Sequence, residues 1–270
     1  MMSFLPVTRA LLLAFPLAAI TLWAGSPVPA NVRVVPVSHI VAPTTSYAFI
    51  TSKYVFSVHW QFFNAGTSTV ALQRSGKDLH VIATADSAGM PDKLFRVHDH
   101  YDAEVNPHTF CTGQVNKHNQ EGPHERDISV LLDYPRAKSE VNVTDLKTSE
   151  TKHSEFDIPP CVTDVVSGFF YVASLPLQPG FSEIFPVNDN GKTSNVEMKV
   201  EGREKVKGPT GEYETVRTKV SAVDGPMHGK GTLWVWFTDD SRRIPVQMKS
   251  KLGFATLVFQ LQSVGSERSN

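Results

Sequence analysis

Between positions 54 and 63 the chain alternates. Tyr54, Phe56, Val58, Trp60 and Phe62 fall on one parity, and Val55, Ser57, His59, Gln61 and Phe63 on the other. A two-residue period sends successive side chains to opposite faces of a strand, so this segment reads as a β-strand with one buried face. Asn64-Ala65-Gly66 reads as the turn after it, 67–74 as a returning strand, and Ser75-Gly76-Lys77-Asp78 as a second turn. Leu79, Val81, Ala83 and Ala85 then alternate again, which makes an antiparallel meander.

Further strand signals fall at 128–132, 139–143, 183–187, 195–201, 203–206, 213–222, 231–238, 243–249 and 252–261, separated by turn residues such as Asn188-Asp189-Asn190-Gly191 and Asp239-Asp240-Ser241. Residues 91–97 read as a short helix or turn with Met90, Leu94, Phe95 and Val97 facing inward. The stretch 98–125 is rich in His, Asn and charge and shows little period, and 145–157 reads as a loop or exposed hairpin. One segment has helical spacing: Val162, Val165, Val166, Phe169, Phe170 and Ala173 recur every three or four residues, with Thr163 or Asp164 as cap and Pro176 past the end. The expected fold is therefore mainly β: an antiparallel curved sheet or incomplete β-barrel wrapped around one helix at about 162–175.

The N-terminus reads as an address. Arg9 precedes about fifteen mostly apolar residues, 10–24, of signal-peptide length and short of a bilayer span. Val28-Pro29-Ala30 suits a cleavage site, so the expected organisation is a signal peptide at 1–30, an extended leader at 31–45, one β-rich domain at 46–265 and a tail at 266–270. Export to the periplasm or cell envelope follows, with no transmembrane domain after cleavage. Lys and Arg total 26 against 27 Asp and Glu, so no basic surplus points to nucleic acid.

Three blocks in the second half carry a resemblance. They are Asp164-Val165-Val166-Ser167-Gly168-Phe169-Phe170-Tyr171 with Leu175-Pro176-Leu177-Gln178-Pro179-Gly180, then Gly211-Glu212-Tyr213-Glu214-Thr215, then Trp234-Val235-Trp236-Phe237-Thr238-Asp239-Asp240 with Arg243-Ile244-Pro245-Val246. In order and spacing they resemble the exported bacterial family catalogued as domain of unknown function 3108. The resemblance implies an exported β-rich domain and no particular reaction.

Candidate chemistry is sparse. Cys111 and Cys161 are the only cysteines, and in an oxidising compartment they are expected to form a structural disulfide. His98, His100 and His108 head a His- and acid-rich segment, 98–124. If 98–100 is extended, two imidazoles share a face as zinc ligands could, with a third ligand from His108 or Asp102. No metal motif of fixed spacing accompanies them, and no Gly-x-Ser-x-Gly elbow or phosphate loop is present. Trp60 with Phe62, Trp234 with Trp236, and Phe169 on the helix are candidates to line an apolar site. The first reading is a non-enzymatic envelope protein binding an apolar or amphiphilic ligand or an envelope partner, without cofactor. The alternatives are a zinc-dependent hydrolase using 98–124, and a purely structural envelope protein.

Overall fold

The computed structural model describes residues 52–253 and 255–265, together with Ile40. The expected signal peptide, nearly all of the expected leader and the expected tail lie outside the described residues.

Strands β1 (Ser52–Trp60), β2 (Phe63–Ser75) and β3 (Asp78–Ser87) form the expected meander. The short helix α1 (Gly89–Leu94) follows, then β4 (Val97–Val105), β5 (Thr112–Glu121), β6 (His124–Asp133), β7 (Lys138–Asp145) and β8 (Glu150–Asp157). A bridging segment contains the two-residue strand β9 (Thr163–Asp164) and helix α2 (Ser167–Ser174). The chain ends with β10 (Ser182–Asp189), β11 (Lys192–Gly208), β12 (Gly211–Ala222), β13 (Thr232–Thr238), β14 (Pro245–Leu252) and β15 (Ala255–Gly265).

The fifteen strands among the described residues form one open sheet, in the order β8-β7-β6-β5-β4-β3-β2-β1-β15-β14-β13-β12-β11-β10-β9. Neighbours are antiparallel except β9 and β10, which are parallel. The first and last strands pair in the middle, Phe56 opposite Leu261 and Trp60 opposite Leu257. Two wings therefore extend from a central seam. One wing holds β2–β8, and the other holds β10–β15. The alternation in each strand sends Tyr54, Phe56 and Val58, then Leu79, Val81 and Ala83, then Leu257 and Leu261 to the inner face, where all are buried.

Several expectations change. Asn64-Ala65-Gly66 is not a turn but lies within β2, and the tight turn is Gln61-Phe62. Gly66 sits beside a register shift, at φ +149°, and a Cβ there would stand 2.0 Å from the Asp86 carbonyl oxygen. The glycine serves a close approach between strands rather than a reversal. Residues 98–125 are not irregular but supply β4, β5 and the start of β6. In α1, Met90 and Leu94 face solvent instead of the core, while Val97 is buried. The two strand signals at 195–206 are one strand, β11, with a bulge between Val200 and Gly202.

The helix begins later than 162. Thr163 and Asp164 instead pair with Val187 and Asn188, and α2 runs only from Ser167 to Ser174. The helical spacing misled because both stretches are buried on nearly every side. The N-cap residue is Val166, without a side-chain capping bond, rather than Thr163 or Asp164; from two residues before it, Asp164 Oδ1 still accepts the Val166 and Ser167 N–H groups at 2.9 and 2.8 Å.

Candidate functional site: an apolar cavity under the buried helix

Helix α2 lies in the hollow of the sheet, and its rings anchor it to both wings. Tyr171 meets Phe110 and Phe185 edge-on, at centroid separations of 5.6 and 4.8 Å, and Phe169 meets Phe237 at 5.4 Å. Against β10–β14 the packing is incomplete. A partly enclosed cavity of about 80 Å³ remains between Phe169 and Val172 of the helix and Val196, Val220, Leu233 and Val235 of the sheet. Holding one water by such a measure takes roughly 10–15 Å³, so this space admits a short run of hydrocarbon. Met227, Gly231 and Leu252 border it at the end where β12 runs into β13 and β14 turns into β15. Its polar lining is slight, with Thr232 and Ser250 among seventeen residues otherwise apolar or Gly.

Of the five aromatic side chains expected to line an apolar site, only Phe169 does so. Trp60 is half-buried at the inner end of β1, where the register sets it in line with Leu257, Ser250 and Leu233. Trp234 and Trp236 are corrections, because the inner positions of β13 belong to Leu233, Val235 and Phe237. On the outer face, the Trp236 indole N–H donates to Glu204 at 2.7 Å, and Lys249 Nζ lies 6.0 Å over the Trp234 ring. Phe62 is also corrected: it occupies the turn after β1 and is 97% exposed. Sequence reasoning missed Val196, Val220 and Met227. Val196 and Val220 carried only ordinary strand alternation, which does not distinguish a filled core from one with a void, and Met227 lies in the connection between β12 and β13, where no period marks it.

In the other wing Val81, Ala103, Val115, Val130 and Val141 line the hollow, and polar contacts from the chain itself close it. Lys117 on β5 donates to Asp189 at 2.9 Å and to Asn190 at 3.0 Å, both at the β10–β11 turn. Ser139 donates to the Gly191 carbonyl at 2.7 Å. Gly191 has φ +84°, and a Cβ there would lie 2.3 Å from Val141 Cγ2, so the turn fits only as glycine. Below it, Asp164 is buried and gathers the hydroxyls of Tyr101 at 2.5 Å and Thr112 at 2.7 Å. Burial, with Asp164 alongside, pushes the Tyr101 phenol well above its ordinary pKa. Asp99 also points inward from β4 and accepts the Gln120 N–H at 3.0 Å. Burial raises its carboxyl to about 6, against the lowering effect of Gln120, Asn119 and His118.

The histidines are dispersed. His98 and His100 share the outer face of β4, as an extended 98–100 requires, with His98 Nδ1 at 2.9 Å from Asp86. His118 stands across from His100 and contacts Asp127 at 2.7 Å. His108 lies beyond the opposite end of β4, in the 106–111 turn, so the structure does not bring His98, His100 and His108 together. Among the described residues, no three His, Cys, Asp or Glu side chains are grouped as a metal would require. Cys111 and Cys161 form the expected disulfide, which ties the start of the bridging segment to the loop before β5.

Residues 55–262 match the family described as protein of unknown function (DUF3108). The chain belongs to this family. The expectation drawn from the three sequence blocks therefore holds. No curated protein matches the sequence. Among solved structures, a β-barrel-like protein of domain of unknown function DUF1849 from Brucella abortus aligns with a TM-score of 0.57 at 8% identity, covering 81% of this chain and 98% of that one. That likeness shows the fold, a barrel-like sheet. A candidate lipoprotein from Parabacteroides distasonis and a candidate exported protein with a YmcC-like fold from Bacteroides fragilis align at TM-scores of 0.29 and 0.30, each at 8% identity. They cover 85% and 84% of this chain and 99% of each of those chains. No helix among the described residues is long and apolar enough to cross a membrane.

Proposed function

We propose that this chain is an exported, non-enzymatic binding protein of the cell envelope whose cavity under α2 receives the hydrocarbon part of an amphiphile. The observation that carries the reading is the cavity itself: space bordered by Phe169, Val172, Val220, Leu233 and Val235, with little to hydrogen-bond. Such a surface offers a ligand dispersion and release from water, and little with which to polarise a reacting bond. Each methylene moved into it contributes roughly 0.8 kcal/mol, so a segment of about six carbons supplies roughly 5 kcal/mol before ordering costs. The apolar N-terminal stretch at 10–24 and the disulfide both support export to an oxidising compartment.

Ala222 borders the cavity at its half-exposed end. The substitution Ala222→Trp is expected to fill the space and weaken binding of a fluorescent acyl probe at least about tenfold, with an unchanged circular dichroism spectrum. Equal probe affinity in the two proteins contradicts the reading.

A further inference from the structure

The cavity's open end adjoins an unusual corner. Of the seven large apolar side chains exposed among the described residues, four gather there: Phe62, Phe63, Met90 and Leu94. The backbone brings them together. Gln61-Phe62 turns β1 into β2, and α1 packs at the start of β2, where the Ala88 N–H donates to the Ala65 carbonyl at 3.0 Å. The pairing of Trp60 with Leu257 sets the β14–β15 turn beside the β1–β2 turn. Leu252, in the last position of β14, borders the cavity. The four apolar side chains thus flank the mouth, two strands away along the rim.

The charges at this end are uneven in their pairing. Lys93, Lys230 and Lys251 are exposed and make no ion pair among the described residues. The nearby acids are engaged: Asp92 accepts Ser87 Oγ–H at 2.6 Å and lies 3.8 Å from Arg96, and Asp224 accepts the Asn195 backbone and side-chain N–H groups at 2.6 and 2.7 Å. One turn further along, Glu125 lies 3.4 Å from His118. A corner with aromatic and aliphatic tips and unpaired lysines is matched to an apolar layer under negative headgroups.

We infer that this corner docks the protein on an anionic lipid surface, with Phe62, Phe63, Met90 and Leu94 entering between lipids while Lys93, Lys230 and Lys251 meet the headgroups. The docking would set the cavity mouth against the bilayer. The inference rests on the lipid-binding reading for its purpose and on different residues for its test.

Flotation of the full chain, exported and processed by its host, with mixed phosphatidylethanolamine–phosphatidylglycerol vesicles is the experiment, with pure phosphatidylcholine vesicles beside them. The wild type is expected to bind the anionic vesicles about tenfold more tightly than the neutral ones. Phe62→Ser combined with Leu94→Ser should lose about tenfold on both. Lys93→Glu combined with Lys251→Glu should remove the preference for the anionic vesicles. Both variants should bind the fluorescent acyl probe as the wild type does, which reports intact folding and separates this test from that of the cavity. Absence of the wild type from the vesicle fraction overturns the inference. So does wild-type flotation by both variants, including the case in which Phe62→Ser with Leu94→Ser instead converts a dimer to a monomer.

Discussion

In the wing formed by β2–β8, the hollow of the sheet is occupied by the chain itself. The β10–β11 turn enters it, and Lys117, Ser139, Tyr101 and Thr112 meet turn or bridge atoms at hydrogen-bonding distance. In the wing formed by β10–β15, α2 covers the hollow with apolar side chains and leaves about 80 Å³ unfilled. Directional contacts specify one position for the elements they join, and the polar groups among them would be costly to leave unmatched. Apolar packing tolerates a void at moderate cost. One sheet thus contains a wing that closes the structure and a wing with room for a guest.

The largest effect that sharpens this contrast comes from the disulfide. Joining residues 50 apart in sequence, it should contribute roughly 4 kcal/mol in the chain-entropy account. Cys111→Ser with Cys161→Ser is expected to lower the unfolding free energy by about that amount in urea titrations. A loss under about 1 kcal/mol would show that the bridging segment is held without it.

Next is Asp164, where both hydroxyl donors and the start of α2 converge. Asp164→Asn leaves one acceptor oxygen for these donors and should cost about 3 kcal/mol. If the contrast is right, hydrogen exchange should quicken in β4 and β5 more than in β13 and β14.

The smallest of these effects is a pH dependence. Folded, Asp99 holds its proton up to about pH 6; unfolded, it releases it near pH 3.9. The native state binds more protons inside that window, so Asp99's contribution to stability falls as pH rises from about 4 to 6, by roughly 2–3 kcal/mol. Asp99→Asn should flatten the profile and raise stability at pH 7, as read from denaturation midpoints at several pH values. A wild-type profile that Asp99→Asn leaves unchanged would place the titration elsewhere.

The second wing was legible in the sequence, because Val196, Val200, Val216, Val235 and Phe237 are apolar at inner positions and the pattern follows the pleat. The first wing was partly hidden. Inner positions of β4 and β5 hold Asp99, Lys117 and Asn119; Lys117 meets a polar turn from elsewhere in the chain, and Asp99 stands opposite Asn119, and a hydrophobic pattern anticipates neither. Phe169 was identifiable from helical spacing. The tryptophans of β13 drew attention to the face away from the cavity, where Trp236 stands opposite Arg217 and Gln247 and donates to Glu204. The cavity follows from how α2 seats, which no local pattern records.

The most direct test is photo-crosslinking with a diazirine-bearing fatty acid, followed by mass mapping of the labelled peptides. Labels on the peptides carrying Phe169, Leu233 and Leu252, removed by Ala222→Trp, are the predicted result. Labels confined to β4–β8, or persisting in Ala222→Trp, would contradict the assignment of the guest to the second wing.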